Sequence, residues 1–571
     1  MKITQKHLQY LNKEFDVDDW NQVEHELKAI LTFVMTSTDD LELVIHWSNE
    51  LLDEVEYKDT QNYVILSTNM SNKEIASNGE EYKKNILFKA KPYFHEIEMK
   101  IYNSEFIKSL NCSFDHYRNI LKKNIRLYNE TNLELKEKED ALCLKYRKEV
   151  SNVVVDYNGE QLTRAQAYNL LNTASQEDKP VIWSFINNAW LSKKSELDII
   201  FNQILEIRHQ IALNCDFENY GEYLHLSHSR LEYSLDDIKS LHDSIEEVLI
   251  PELKKMVAAG KPELDNTLKY PWEDAFKAAK TSHKPFETSD ELVDKINNIL
   301  QKIDPEFSTI FSNIRENGNM DLEPRKKKTT GGFCFPIDRT GSPFICMNVA
   351  GRPEETNILI HEAGHGIHSV LNSHQKVRGC RMFSSNGELA EFPPKFFELL
   401  AFDYYDEFYD NMSDTTLAQK EHYITLLYAL RKYVIIDAFE QWIYTNPGHS
   451  ISERDESYSS LVDKFNVNDN WEGYESFKSL EWYKSQLVVI MPFYIVSYAI
   501  AQLGAINLYK NYRQNKDKTI TQLKEMLRMG FSRPISELYN TVGLEFNFSR
   551  NTLKDTVDFI SQEITNLNLN K

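Results

Sequence analysis

Apolar residues recur at every third or fourth position along most of this 571-residue chain, as in SLDDIKSLHDSIEEVLIPELKKM (234–256). A repeat of that period puts the apolar side chains on one face of a helix, and it constrains the fold more than any other feature. Glycine and proline, 18 and 16 in all, are too few to interrupt it often. Helical segments are therefore expected through 1–320 and again from about 354 to the end, with SRPISELYNTVGL (532–544) breaking the C-terminal helices. The exception is GGFCFPIDRTGSPFICMNV (331–349), where β-formers flank the turn DRTGSP and predict a β-hairpin. The fold class is mainly α. No Pro/Gly/Ser-rich linker marks a boundary, and the division expected is a helical region over 1–200 followed by a larger catalytic region over 201–571.

Charge and composition narrow the function classes. The net charge of −22 leaves only the short run Lys326–Lys328 as a basic cluster, so a nucleic-acid partner is not expected. The start, MKITQKHLQYLNKEF, has no apolar core of a signal peptide, and no segment approaches the ~18 apolar residues of a membrane span. A cytoplasmic protein without a membrane partner is the expectation. The six cysteines (Cys112, Cys143, Cys215, Cys334, Cys346, Cys380) lack C-x-x-C spacing and read as reduced thiols.

The chemistry lies in HEAGHGIHS (361–369), just after the expected hairpin. His361 and His365 are four apart on a helix, so both imidazoles leave one face about a turn apart and can hold one metal ion. Glu362 then stands beside that metal as a candidate general base for an attacking water. An amphipathic helix carrying two histidines by chance is the competing explanation. A catalytic zinc needs a third protein ligand, and ELAEFPPKFFELLAFDYY (from 388) supplies Glu388, Glu391 and Glu398. Glu391 and Glu398 are seven apart and share a helix face, as a ligand and the acid orienting a ligand histidine would, but spacing does not choose between them. His368 continues the histidine face. A packing or substrate-side role suits it better than a fourth ligand, which would close the site to water.

An ordered set of motifs over roughly 200–550 resembles the oligoendopeptidase F branch of the thimet-oligopeptidase-like zinc metallopeptidases: FENYGEYLHLSHSRLEYS (217–234), GGFC, PFICMNV (343–349), HEAGHGIHS, AEFPPKFFELL (390–400), YTNPGHSISERD (444–455) and PFYIVSYAIAQLGA (492–505). The resemblance implies two helical regions flanking a deep substrate channel, with one Zn2+ per chain on its floor beside the hairpin. Short peptides are the implied substrates. It assigns the third ligand to Glu391 and the supporting role to Glu398. It gives Gly331, Gly332 and Phe333 the task of pairing with an extended substrate by strand addition.

The resemblance also exposes a departure. The family's late segment, W-x-x-x-x-H-[aliphatic]-F-x-x-P-F-Y-Y-I-x-Y-x-x-A-Q, carries a histidine and tyrosines that face the zinc. This chain reads WYKSQLVVIMPFYIVSYAIAQ, with Leu487 in the place of the histidine and Ile495 in that of one tyrosine. Tyr494 and Tyr498 remain as candidate oxyanion or substrate contacts, with Tyr483 a nearby substitute donor. The expected function is a zinc metallopeptidase hydrolysing short peptides by metal-activated water. Leu487 and Ile495 leave two alternatives: a repurposed zinc enzyme that tailors or matures a specific peptide or amide, and a non-catalytic peptide-binding homologue. The sequence does not set the oligomeric state.

Overall fold

The computed structural model describes all residues except 1–7, 71, 112–113, 260–269, 273–283, 326, 329–330, 338–340, 376, 382–385, 468 and 570–571. Helices dominate it, and each is built as its sequence predicts. Ser289–Ile303, for example, buries Leu292, Val293, Ile296, Ile299 and Leu300 along one face. The Thr288 side chain accepts the Glu291 N–H at its start. Asp304 then caps Pro305–Glu316, whose first position is the proline, a residue with no N–H to leave unpaired. The 234–256 stretch is continuously helical. It opens on a Ser234/Asp237 capping box and widens over Ile245–Leu249 just before Pro251, which cannot donate to the turn below.

Two large apolar clusters organise the helices, and a small third one joins Tyr57 and Val64 to Ile337, Phe344 and Cys346. The larger draws on residues from Tyr146 to Ile564 and the smaller on Leu11 to Leu121, closed by Val377 and Cys380. Arg378 and Arg381, on the segment that closes the smaller cluster, both bind Asp53, at 2.9 and 2.6 Å. No described helix is long and apolar enough to cross a membrane. The cysteines among the described residues are free.

The expected hairpin is present and belongs to a three-stranded sheet. Labelling strands in chain order, β4 (Phe333–Phe335) pairs antiparallel with β5 (Phe344–Cys346), which also takes β3 (Met320–Asp321) in parallel. The DRT of the expected turn lies outside the described residues. β4 forms one edge of this sheet, with Gly331 and Gly332 leading into it.

One expectation is corrected. The stretch 1–320 is not helical throughout: β1 (Val154–Tyr157) and β2 (Glu160–Thr163) form a second hairpin. Its two-residue turn is Asn158-Gly159, both at positive φ (52° and 84°), the geometry that matches the right-handed twist of paired strands. Buried Val155 ties it to the larger core.

Candidate active site

Three elements meet at the site: the helix Glu354–Asn372 bearing HEAGH, the helix Gly387–Leu400 bearing the acids, and the segment 487–498. The first is anchored by Glu355, fully buried, whose carboxylate accepts the N–H groups of Ala350, Gly351 and Arg352 at 2.8–3.1 Å. This fixes the start of the helix against the end of the β5 segment. Gly364 lets the two helices approach. A Cβ there would stand 2.8 Å from the Pro394 Cα, a backbone atom that cannot turn aside. Pro393 and Pro394 lie inside this second helix, and each removes an N–H from the ladder.

The close approach brings His361, His365 and Glu391 together, with ligand atoms all within 4.8 Å of one another. Glu391 Oε2 is 3.2 Å from His361 Nε2 and 3.7 Å from His365 Nε2. Of the three acids, Glu391 alone lies between the imidazoles. Glu398 stands behind, accepting His361 Nδ1 at 2.8 Å and Lys395 Nζ at 2.9 Å on one oxygen. Glu388 is engaged elsewhere, with Arg230 at 2.8 Å.

The electrostatics suit a cation. Burial opposes charge on both Glu391 and Glu398, yet His365 and His361 hold the first at about 2, and Lys395 with His361 holds the second at about 2. Burial would also lower His361, but its hydrogen bonds to those two carboxylates lift it to about 10. Two carboxylates converging on one imidazole thus demand positive charge, which a divalent metal meets as a proton does. His365 is kept neutral by burial, at about 3, as a metal ligand must be. The donor set of two imidazoles and a carboxylate fits zinc with a position left open.

Glu362 is buried and its Oε2 has no hydrogen-bond partner. Burial raises its carboxyl to about 7. Gly332 lies against it: a Cβ at 332 would sit 3.1 Å from Glu362 Oε1 and 2.6 Å from the Ile358 side chain. Gly331 adopts φ +89° with open space around it. The Phe333 ring lies tilted against Phe335 at 4.6 Å, and Tyr63 meets Phe335 edge-on at 4.8 Å. His368 is buried outside the cluster, lying over Phe531 at 6.2 Å.

Tyr494 donates to Glu391 Oε1 at 2.6 Å and meets Tyr498 edge-on at 5.4 Å. The residue before it, Phe493, is a non-glycine at φ +62°. That conformation is strained and persists only where neighbours impose it. Here Glu440 accepts the Phe493 N–H at 2.9 Å and Arg230 donates to its carbonyl at 2.7 Å. Arg208 and His228 hold the carbonyls of Val489 and Pro492 at 2.6 and 3.2 Å. Leu487 and Ile495 pack with the larger core. Tyr483 cannot stand in for a missing donor, because it is buried with its hydroxyl on Asp198 at 2.5 Å.

A model of peptidase family M3 matches residues 179–557. The chain belongs to peptidase family M3. Across 98% of its length it superposes on PZ peptidase A with an inhibitor, of which 99% is covered (TM-score 0.89, 18% identity). A protein provisionally assigned as oligoendopeptidase F from Bacillus anthracis strain Ames is matched over 97% of each chain (TM-score 0.83, 18% identity). Oligoendopeptidase F from Enterococcus faecium is matched over 96% of this chain and 97% of that one (TM-score 0.63, 12% identity). None of the curated proteins compared with it matches. M3 membership makes the chain a metallopeptidase-type hydrolase, and the fold is the mainly helical one of the oligoendopeptidase F structures.

Four residues at this M3 site carried no sequence signal that singled them out. Lys395 was visible only as a lysine three residues before Glu398 on the same helix. Tyr433 stacks on Tyr498 at 5.6 Å from a helix that is distant in sequence. His422, near Glu398, and Arg230 are likewise brought in by tertiary packing alone.

Proposed function

We propose that the protein is a zinc-dependent oligopeptidase that hydrolyses short peptides, working in the cytoplasm. The convergence of His361, His365 and Glu391 beside a buried, unpaired Glu362 carries this reading. A divalent metal bound there supplies Lewis acidity. Glu362 takes the proton of the attacking water as the new C–O bond forms, then gives it to the leaving amine as the C–N bond breaks. A carboxyl raised to about 7 suits both transfers. The outer edge of β4, unpaired among the described strands, offers backbone groups to an extended peptide, and the absent side chain of Gly332 leaves the scissile bond access to Glu362. Tyr498 is the candidate donor to the developing oxyanion, and Tyr494 joins it by releasing the hydrogen bond its hydroxyl gives to Glu391.

Zinc content and peptide turnover, read by mass spectrometry on a peptide library, test the reading. About one zinc per chain is expected, lost in His361→Ala and Glu391→Ala and retained in Glu362→Gln, which should not turn over. Zinc binding unaffected by Glu391→Ala would refute the ligand set. Leu487 and Ile495 favour a second reading, a zinc enzyme specialised for tailoring one peptide or amide. A product lighter than its substrate by one water, rather than hydrolysed fragments, would establish it. Peptide binding with no product at full zinc occupancy would instead mark a non-catalytic homologue.

A further inference from the structure

Glu398 serves two donors with a single oxygen. His361 Nδ1 and Lys395 Nζ approach Oε1 at 2.8 and 2.9 Å, while the His422 Nε2 stands 3.7 Å from Oε2. His422 brings no charge to the group. Its side chain is 10% exposed and burial keeps it neutral, and its Nδ1 receives the Asn357 amide at 2.7 Å, an amide fixed in turn by the Tyr405 hydroxyl at 2.5 Å. Lys395 brings a full charge. Its side chain is only 13% exposed, and burial alone would lower it, but the neighbouring Glu398 carboxylate keeps it protonated.

A carboxylate behind a ligand histidine draws on the N–H and makes the other ring nitrogen a stronger donor to the metal. A cation on the same carboxylate oxygen opposes that effect by holding the lone-pair density the imidazole would use. We infer that Lys395 is a positioning and tuning residue which, by sharing Glu398 Oε1 with His361, weakens His361 as a ligand and keeps the bound metal electrophilic. This rests on the proposed assignment of His361, His365 and Glu391 as ligands. It also gives the departure at Leu487 and Ile495 a counterpart. A site with fewer donors across from the metal has more need of an electrophilic metal to stabilise the oxyanion.

The contrary view is that Lys395 simply holds Glu398 in place, and it predicts the opposite sign. The test measures zinc affinity by chelator competition for wild type, Lys395→Met, Lys395→Gln and Lys395→Arg, with melting temperature as a check on folding. If Lys395 tunes the site, Lys395→Met binds zinc about 10- to 100-fold more tightly, the range that outer partners of metal ligands command. Lys395→Gln should follow in the same direction, Lys395→Arg should match wild type, and kcat on peptides should fall in the Met and Gln variants. Unchanged or weaker zinc binding in folded Lys395→Met and Lys395→Gln overturns the inference while leaving the ligand set intact. A wild type that binds no zinc overturns both.

Discussion

The Arg230–Glu388 pair offers a sharp test of how the fold holds the site. Both side chains are fully buried. Arg230 binds Glu388 at 2.8 Å, the Phe493 carbonyl at 2.7 Å and the Ser497 hydroxyl at 3.0 Å. Tyr233 and Ser497 also donate to Glu388, at 2.6 and 3.1 Å. Arg230→Met leaves the carboxylate buried with two hydroxyl donors and no countercharge, which should destabilise the protein by about 3–5 kcal/mol. Arg230→Met with Glu388→Leu removes both charges, and a buried pair replaced by apolar side chains is often neutral. Stability should then recover only in part, because the Phe493 carbonyl loses its donor and the Tyr233 and Ser497 hydroxyls lose their acceptor, each a loss of about 1–3 kcal/mol. Turnover should not return. Without Arg230 the strain of about 1–3 kcal/mol stored at Phe493 is free to relax and carry Tyr494 off Glu391. Urea unfolding followed by tryptophan fluorescence, beside peptide turnover and zinc content, separates the two effects. An Arg230→Met variant within about 1 kcal/mol of wild type, or a double variant with full activity, would refute the reasoning.

Three further outcomes are expected. Gly364→Ala should lose about 1–3 kcal/mol to overpacking, in spite of alanine's better helix propensity, and should weaken zinc binding, because its Cβ would meet the Pro394 backbone at 2.8 Å; calorimetry and metal titration check this. Leu487→His with Ile495→Tyr should raise turnover of generic peptides at unchanged zinc content, since one oxyanion donor is typically worth about 10²- to 10³-fold; no gain in a folded variant counts against the assignment of those positions. Glu98, whose Oε1 accepts Asn124 Nδ2 at 2.6 Å, is raised by burial from 4.5 to about 7, so the folded chain keeps a proton that the unfolded chain releases as pH rises between those values. Its contribution to stability therefore falls across that window, and Glu98→Gln should be more stable than wild type by about 1–3 kcal/mol at pH 8 with the gap closing below about pH 4.5, as melting curves at the two pH values will show.

Periodicity and short-range spacing were legible without a structure because they report local geometry. A 3.6-residue repeat fixes which side chains share a helix face, so the mainly helical class and the pairing of His361 with His365 could be read directly. The β4–β5 hairpin was visible because its two β-rich runs flank a turn. The Asn158-Gly159 hairpin carried the same kind of signal, but it sits between long helices, and the helical trend concealed it. Residues distant in the chain gave no such signal. Spacing alone left Glu391 and Glu398 equivalent; the resemblance points to Glu391, and the close packing of Gly364 on Pro394 is what brings that residue between the imidazoles. Tyr483 is close in sequence to the late motif, yet packing commits its hydroxyl to Asp198. Nothing in the string PFY announces a phenylalanine at positive φ, because that conformation is imposed by Glu440 and Arg230 from other helices. The chain's own chemistry nominated the candidate ligands and base, while the burial and direction of charges such as Lys395 exist only once the helices have packed.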